Sequence, residues 1–189
     1  MTEDAVLPLM AGKPSCAVGV ALIGYMGAGK TTVGRALAER AGWRFDDLDS
    51  LIEQHEGRRV DDIFRRQGES AFRQLEGSLL RDRLRQPGPA VLALGGGAFL
   101  EVEVRKLLAG AGIPSVFLDA PVEEPFRRCL QPGAVRPLRG DAQQFRERYE
   151  RRRPTYLKAV LRVETGGKAV GEIVEEIMAR LNLLSPRSE

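Results

Sequence analysis

Residues 18–32 read VGVALIGYMGAGKTT: an apolar run, a glycine-rich turn and, directly after it, a helical pattern. Gly24, Gly29, Lys30 and Thr31 fit G-x-x-x-x-G-K-[ST], the P-loop signature. Glycines at 24, 27 and 29 let the backbone curl so that successive N–H groups face one concavity, which suits a polyphosphate. The spacing puts Lys30 within reach of the β- and γ-phosphates and the Thr31 hydroxyl at a Mg²⁺ ion, with the positive end of the following helix behind them. The context the signature requires is present, because an apolar strand precedes it and Val33, Leu37 and Ala41 mark an amphipathic helix after it.

Working outward, strand and helix patterns alternate, which predicts an α/β fold with a parallel sheet covered by helices on both faces. After the helix over 30–41, Gly42 is a stop, and a short strand around 43–45 delivers Asp46, Asp47 and Asp49 to its carboxyl end. Ligands bind beyond the carboxyl ends of the strands in open parallel sheets, so Asp47 and Asp49 are candidate site residues. Asp46 reads as part of a solvated turn, with Asp49 or Ser50 capping a helix over 51–56. The next long apolar strand, 90–94, runs straight into Gly95, Gly96 and Gly97 and offers no acidic side chain, so a metal's carboxylate must come from Asp47 or Asp49. The three glycines instead let a substrate lie against bare backbone.

Between these strands, 60–66 and 69–85 are helical in pattern, with Arg73 and Glu76 spaced to support each other beside the apolar face of Phe72, Leu75 and Leu79. A strand over 115–118 follows, and Pro121 is placed to start a helix. Residues 131–141 contain Pro, Gly, Arg136 and Arg139 with little to bury, the composition of a mobile lid. The helix over 143–158 carries Arg146, Arg148, Arg151, Arg152 and Arg153; interleaved Glu147 and Glu150 make most of it a solvated charged face. Arg152 is the exception, since a small carboxylate in a water-poor pocket wants guanidinium forks. A strand over 161–164 and a helix over 170–183 close the domain, and 165–168 is placed to border an adenine.

With 29 basic against 26 acidic residues the net charge is +3, too small for general nucleic-acid binding. Cys16 and Cys129 have no metal-ligand spacing and suggest a reducing compartment. His55 and Glu56 are followed by Arg59 where a zinc-protease motif needs histidine, and the only asparagine, Asn182, rules out the N-K-x-D guanine signature. The acidic start and the lack of any span-length apolar run point to a cytoplasmic protein without membrane partners. Residues 1–15 read as a loose tail, with Met10 an alternative start, 16–184 as one domain and 185–189 as a second tail.

GYMGAGKTT at 24–32, F-x-D-x-D at 45–49, GE-x-x-FR-x-x-E at 68–76, GGG at 95–97, RPL at 136–138 and R-x-P-x-Y at 152–156 occur in this order. In these motifs the chain, over about 18–182, resembles the shikimate kinases. The resemblance implies a five-stranded parallel sheet of the nucleoside-monophosphate-kinase type, a monomer, and transfer of the ATP γ-phosphoryl to the 3-hydroxyl of shikimate with Mg²⁺. It implies catalytic roles for Lys30, Asp49 and Arg136. ATP would be held by Gly27, Ala28, Gly29, Lys30, Thr31, Thr32, Arg128 and Arg136, with Arg128 along the adenine and Arg136 arriving from the lid. Shikimate would be held by Asp49, Arg73, Gly95, Gly96, Gly97 and Arg152, walled by Phe64 and Phe72. Thr31 would ligate the metal directly and Asp47 through water. Arg139 departs from the family, which more often has leucine after RPL. Related kinases of other polyol acids such as gluconate are the alternative within enzymes, and a noncatalytic ATP-binding scaffold the alternative outside them.

Overall fold

The computed structural model describes residues 19–130 and 141–183. The expected lid with Arg136 and Arg139, the two tails and Cys16 lie outside these residues. Five strands, β1 (Gly19–Ile23), β2 (Arg44–Asp47), β3 (Ala90–Ala93), β4 (Ser115–Asp119) and β5 (Leu161–Glu164), form one sheet in the order β2-β3-β1-β4-β5. Every pairing is parallel. All five carboxyl ends therefore lie along one edge, with β1 central.

Strands β1, β3 and β4 are buried throughout, as apolar strands covered on both faces must be. Their alternation splits the core. Val20 and Leu22 of β1 face helices α1 (Lys30–Ala41) and α7 (Val170–Leu181), where Val33, Leu37, Ile173 and Ile177 pack. Ala21 and Ile23 face the other layer, which includes Ile52 of α2 (Leu48–Glu56), Phe72 and Leu80 of α3 (Val60–Leu84), Leu108 of α4 (Val102–Gly110) and Tyr156 of α6 (Ala142–Tyr156). Edge strand β5 alternates buried Leu161 and Val163 with exposed Arg162 and Glu164, a charged pattern that discourages pairing with another chain. α3 contains both helices expected from the sequence, and Gly68, at φ 81° and ψ 173°, is the break between them.

Two expectations around β2 are corrected. The strand extends through Asp47, and helix α2 starts at Leu48 with the Asp47 carboxylate accepting from Asp49 N–H at 3.1 Å and Ser50 N–H at 3.4 Å. Asp47 is thus the cap, and Asp49 sits inside the first turn. Asp46 is no solvated turn residue: it is 8% exposed and accepts from Arg44 at 2.7 Å, with Arg83 of α3 at 3.8 Å. A strand carboxylate pointing between sheet and helix must be paired, and these arginines supply the charge. Pro121 precedes rather than begins α5 (Glu123–Leu130), its carbonyl accepting from Glu124 N–H at 2.9 Å.

Candidate active site

The loop between β1 and α1 turns through positive φ at Gly24, Gly27 and Gly29. A Cβ on Gly27 would meet the Pro125 carbonyl oxygen at 2.8 Å, so α5 packs against bare backbone there. No side chain among the described residues caps α1; its first N–H groups and dipole face the cleft and favour an anion. Lys30 spans the loop, its Nζ donating to the Gly24 and Tyr25 carbonyls at 2.9 and 3.0 Å. Arg128 of α5 donates to the Gly27 carbonyl at 2.9 Å. Gly27, Gly29, Lys30, Thr31, Thr32, Asp47 and Arg128 line one cleft. Ala28 turns its side chain into the core and donates its N–H to the Tyr25 carbonyl at 3.2 Å.

At the foot of this cleft the Thr31 hydroxyl donates to Asp47 Oδ2 at 2.8 Å. Among the described residues no group of three or more acidic, His or Cys side chains could enclose a metal. One hydroxyl and one carboxylate beside a phosphate loop do fit Mg²⁺, which keeps waters and takes phosphate oxygens rather than a protein cage.

A second cavity opens beside the first and shares Met26, Asp49, Val60 and Asp61 with it. Its lining contains every residue expected to hold an acceptor: Asp49, Phe64, Phe72, Arg73, Gly95, Gly96, Gly97 and Arg152. Arg73 donates to Glu76 at 2.6 Å and to Glu69 at 3.3 Å, and its guanidinium carbon lies 5.2 Å from the centre of the Phe72 ring. The glycine triplet is glycine for reasons of space. A Cβ on Gly95 would stand 2.8 Å from Asp49 Oδ1 and 3.0 Å from Glu76 Oε1, and one on Gly97 would collide with the Arg73 guanidinium. The Gly96 carbonyl accepts from Tyr156 Oη and from Arg152 at 3.3 Å, which fixes the orientation of the triplet.

Glu76 is only 1% exposed, so its pairing with Arg73 is made in the wall of the cavity and not at the surface. Burial pushes its carboxyl up to about 7 against the pull of Arg73, and Asp49 adds to the rise. Helix α6 is held onto the sheet by Asp119 at the end of β4, which accepts from Tyr149 at 2.8 Å, Arg153 at 2.7 Å and Arg162 at 2.8 Å. Burial alone would raise the Asp119 carboxyl; these donors outweigh it and hold the group below the usual carboxylate range. The sequence reading placed Arg153 and Arg148 on a solvated face, whereas Arg153 anchors the helix and Arg148 lines the acceptor cavity. Helical spacing from Arg152 was the available signal. None of residues 165–168 lines either cavity; Thr165 is buried, its N–H on the Asp119 carbonyl at 3.1 Å.

The family model described as Shikimate kinase matches residues 26–182. The chain belongs to the shikimate kinase family. A shikimate kinase of Thermus thermophilus is 40% identical over 171 residues, covering 89% of this chain and 92% of that protein. That of Geobacter metallireducens is 42% identical, covering 89% and 94%. Among solved structures, shikimate kinase from Acinetobacter baumannii in complex with shikimate superposes with a TM-score of 0.79 at 34% identity, covering 87% of this chain and 92% of that one. A gluconokinase from Sinorhizobium meliloti, at 22% identity and a TM-score of 0.56, shares the fold alone. As a shikimate kinase this chain is an ATP-dependent phosphotransferase.

Proposed function

We propose that the two adjoining cavities hold ATP and shikimate, and that the γ-phosphoryl passes to the 3-hydroxyl across their shared wall at Asp49. The carrying observation is that Asp49 lines both cavities while Lys30 and Thr31 line one and Arg73 and Arg152 the other. Thr31 and Asp47 would hold Mg²⁺, which when bound neutralises phosphate charge. Lys30 adds its charge to the β- and γ-phosphates, and Arg128, which lines the same cleft, covers the adenine. Arg73 and Arg152 take the shikimate carboxylate, Phe64 and Phe72 wall the ring, and Gly95, Gly96 and Gly97 bring backbone against it. Asp49 orients the acceptor hydroxyl and receives its proton; in a loose transition state, placement counts for more than basicity. Arg136, outside the described residues, is the further cation that the sequence reading assigns to the γ-phosphate. We also assign a monomer working in the cytoplasm; no helix among the described residues is long and apolar enough to cross a membrane.

ADP release measured over shikimate, gluconate and nucleoside monophosphates tests this reading. Shikimate-dependent release, with shikimate 3-phosphate as product, is expected. Turnover of gluconate without shikimate would overturn it, and ATP binding without acceptor-dependent release would indicate a scaffold.

The Glu76–Arg73 pair gives the site a pH dependence. Above about pH 7 Glu76 is ionised and braces Arg73 as an ion pair; below it the neutral carboxyl braces it by hydrogen bonding alone. KM for shikimate is therefore expected to rise as the pH falls through about 7. Stability moves the other way. The folded-state value lies above the ordinary 4.5, so the folded protein binds this proton more tightly. The group's stabilising contribution is full below about 4.5 and is lost as the pH rises through about 7. Glu76→Gln should remove both trends. Michaelis constants and thermal midpoints across this range check it, and a wild-type KM that stays flat would rule it out.

A further inference from the structure

Helix α6 turns one stripe of side chains inward. Phe145, Tyr149 and Tyr156 on it are buried, and Arg152 reaches the glycine triplet. Arg148 lies on the same stripe, three residues after Phe145 and four before Arg152, the spacing at which helical side chains stand one above another. It is half-buried and lines the acceptor cavity. The other two guanidiniums there are already engaged, Arg73 by Glu76 and Glu69 and Arg152 by the Gly96 carbonyl. Among the described residues that of Arg148 makes no hydrogen bond or ion pair. Its backbone is nonetheless well fixed: Tyr149 and Arg153 bind Asp119 on one side of it, and Phe145 packs edge-on against Tyr25, centroids 4.8 Å apart, on the other.

A partly desolvated guanidinium without a counter-ion is costly, and an anion entering the cavity would offset that cost. The charge balance of the lining points the same way. Three carboxylates, Asp49, Asp61 and Glu76, face three guanidiniums, Arg73, Arg148 and Arg152. Without Arg148 three acidic side chains would stand against two guanidiniums, and the pull of the lining on an acidic acceptor would be weaker.

We propose that Arg148 is a specificity-determining residue that binds the carboxylate of the acceptor, as a third cation beside Arg73 and Arg152, and so selects anionic over neutral acceptors. The inference rests on the reading that this cavity holds shikimate. The anion could instead be the phosphoryl group in transfer, and the two sources separate by experiment.

Steady-state kinetics and direct titration of the wild type, Arg148→Ala and Arg148→Gln, each with shikimate and with its neutral methyl ester, provide the test. A hydrogen bond to a charged group corresponds to about a tenfold or larger change in affinity, so KM and Kd for shikimate should rise about tenfold in both variants. The decrease in kcat should stay within about threefold, because the contact is made alike in ground and transition states. KM for the ester should be the same in all three proteins. Among the described residues Arg148 makes no hydrogen bond or ion pair that the fold uses, so thermal midpoints should match, and Gln keeps part of the stem if Ala disturbs packing. An unchanged KM for shikimate, or an equal rise for acid and ester, would overturn the inference. A fall in kcat with both acceptors would move Arg148 to the phosphoryl group and overturn it too. A wild type inactive on shikimate would instead bring down the assignment of the cavity.

Discussion

In Asp49→Asn, kcat with shikimate is expected to fall by about a thousandfold, in the range seen when a positioned proton acceptor is removed. Asp49 stands in the first turn of α2, and Gly95 leaves room for its carboxylate because a Cβ there would lie 2.8 Å from Oδ1. Asparagine fills the same volume but can present an N–H where the acceptor hydroxyl needs an oxygen. Shikimate binding should weaken as well, since the hydroxyl loses its partner before any chemistry occurs. Asp47→Asn is the contrasting change. Asparagine caps a helix as well as aspartate does, so α2 should survive. What is lost is the negative charge beside Thr31, and the Mg²⁺ concentration needed for half-maximal rate should rise while rate at saturating Mg²⁺ recovers. Single-turnover rates over a Mg²⁺ titration separate the two residues. Rescue of Asp49→Asn by excess Mg²⁺, without rescue of Asp47→Asn, would exchange their roles.

Local chemistry explains which parts of this site could be read from the chain. The P-loop and the glycine triplet each announce themselves within a few residues, because the turn or the bare backbone is itself local, and Arg152 is marked by the R-x-P-x-Y motif at 152–156. Strand and helix order follows for the same reason, and with it the edge of the sheet on which the site lies. Asp46, Glu76 and Asp119 were unreadable in this way. For Asp46 and Asp119 burial is decided by partners from distant elements, Arg83 from α3 for the first and Arg153 and Arg162 from α6 and β5 for the second, and for Glu76 by the glycine triplet packed against it. A carboxylate in isolation reads as solvated, and only the packing of helix on sheet shows that it is enclosed. Arg148 and Arg153 were missed for another reason. Charge run alone treats every arginine of α6 alike, whereas the inward stripe through Phe145, Tyr149, Arg152 and Tyr156 already distinguishes Arg148 from Arg146 and Arg151. Periodicity has to be applied to charged residues as well as apolar ones.

Lys30→Met is expected to lower kcat by about a hundred- to a thousandfold, the range for loss of one preorganised charge donor at a reacting group. Two functions of the ammonium make the effect large. Its Nζ donates to the carbonyls of Gly24 and Tyr25, and so ties the loop across its own mouth. In the reading of the cleft above, the same Nζ also faces the β- and γ-phosphates, where negative charge shifts during transfer. Methionine keeps an unbranched stem of similar reach but supplies neither hydrogen bond nor charge. The loop carbonyls would lose a donor each, so the thermal midpoint should drop slightly, while positive φ at Gly24, Gly27 and Gly29 keeps the loop curled. ATP affinity should weaken less than kcat falls, because α1 still presents its N-terminus and Arg128 still packs against Gly27. Isothermal titration with ATP and pre-steady-state measurement of ADP formation give the two numbers separately. If affinity fell while kcat stayed near the wild-type value, Lys30 would be holding ATP alike in ground and transition states, and the transition-state role assigned to it here would be wrong.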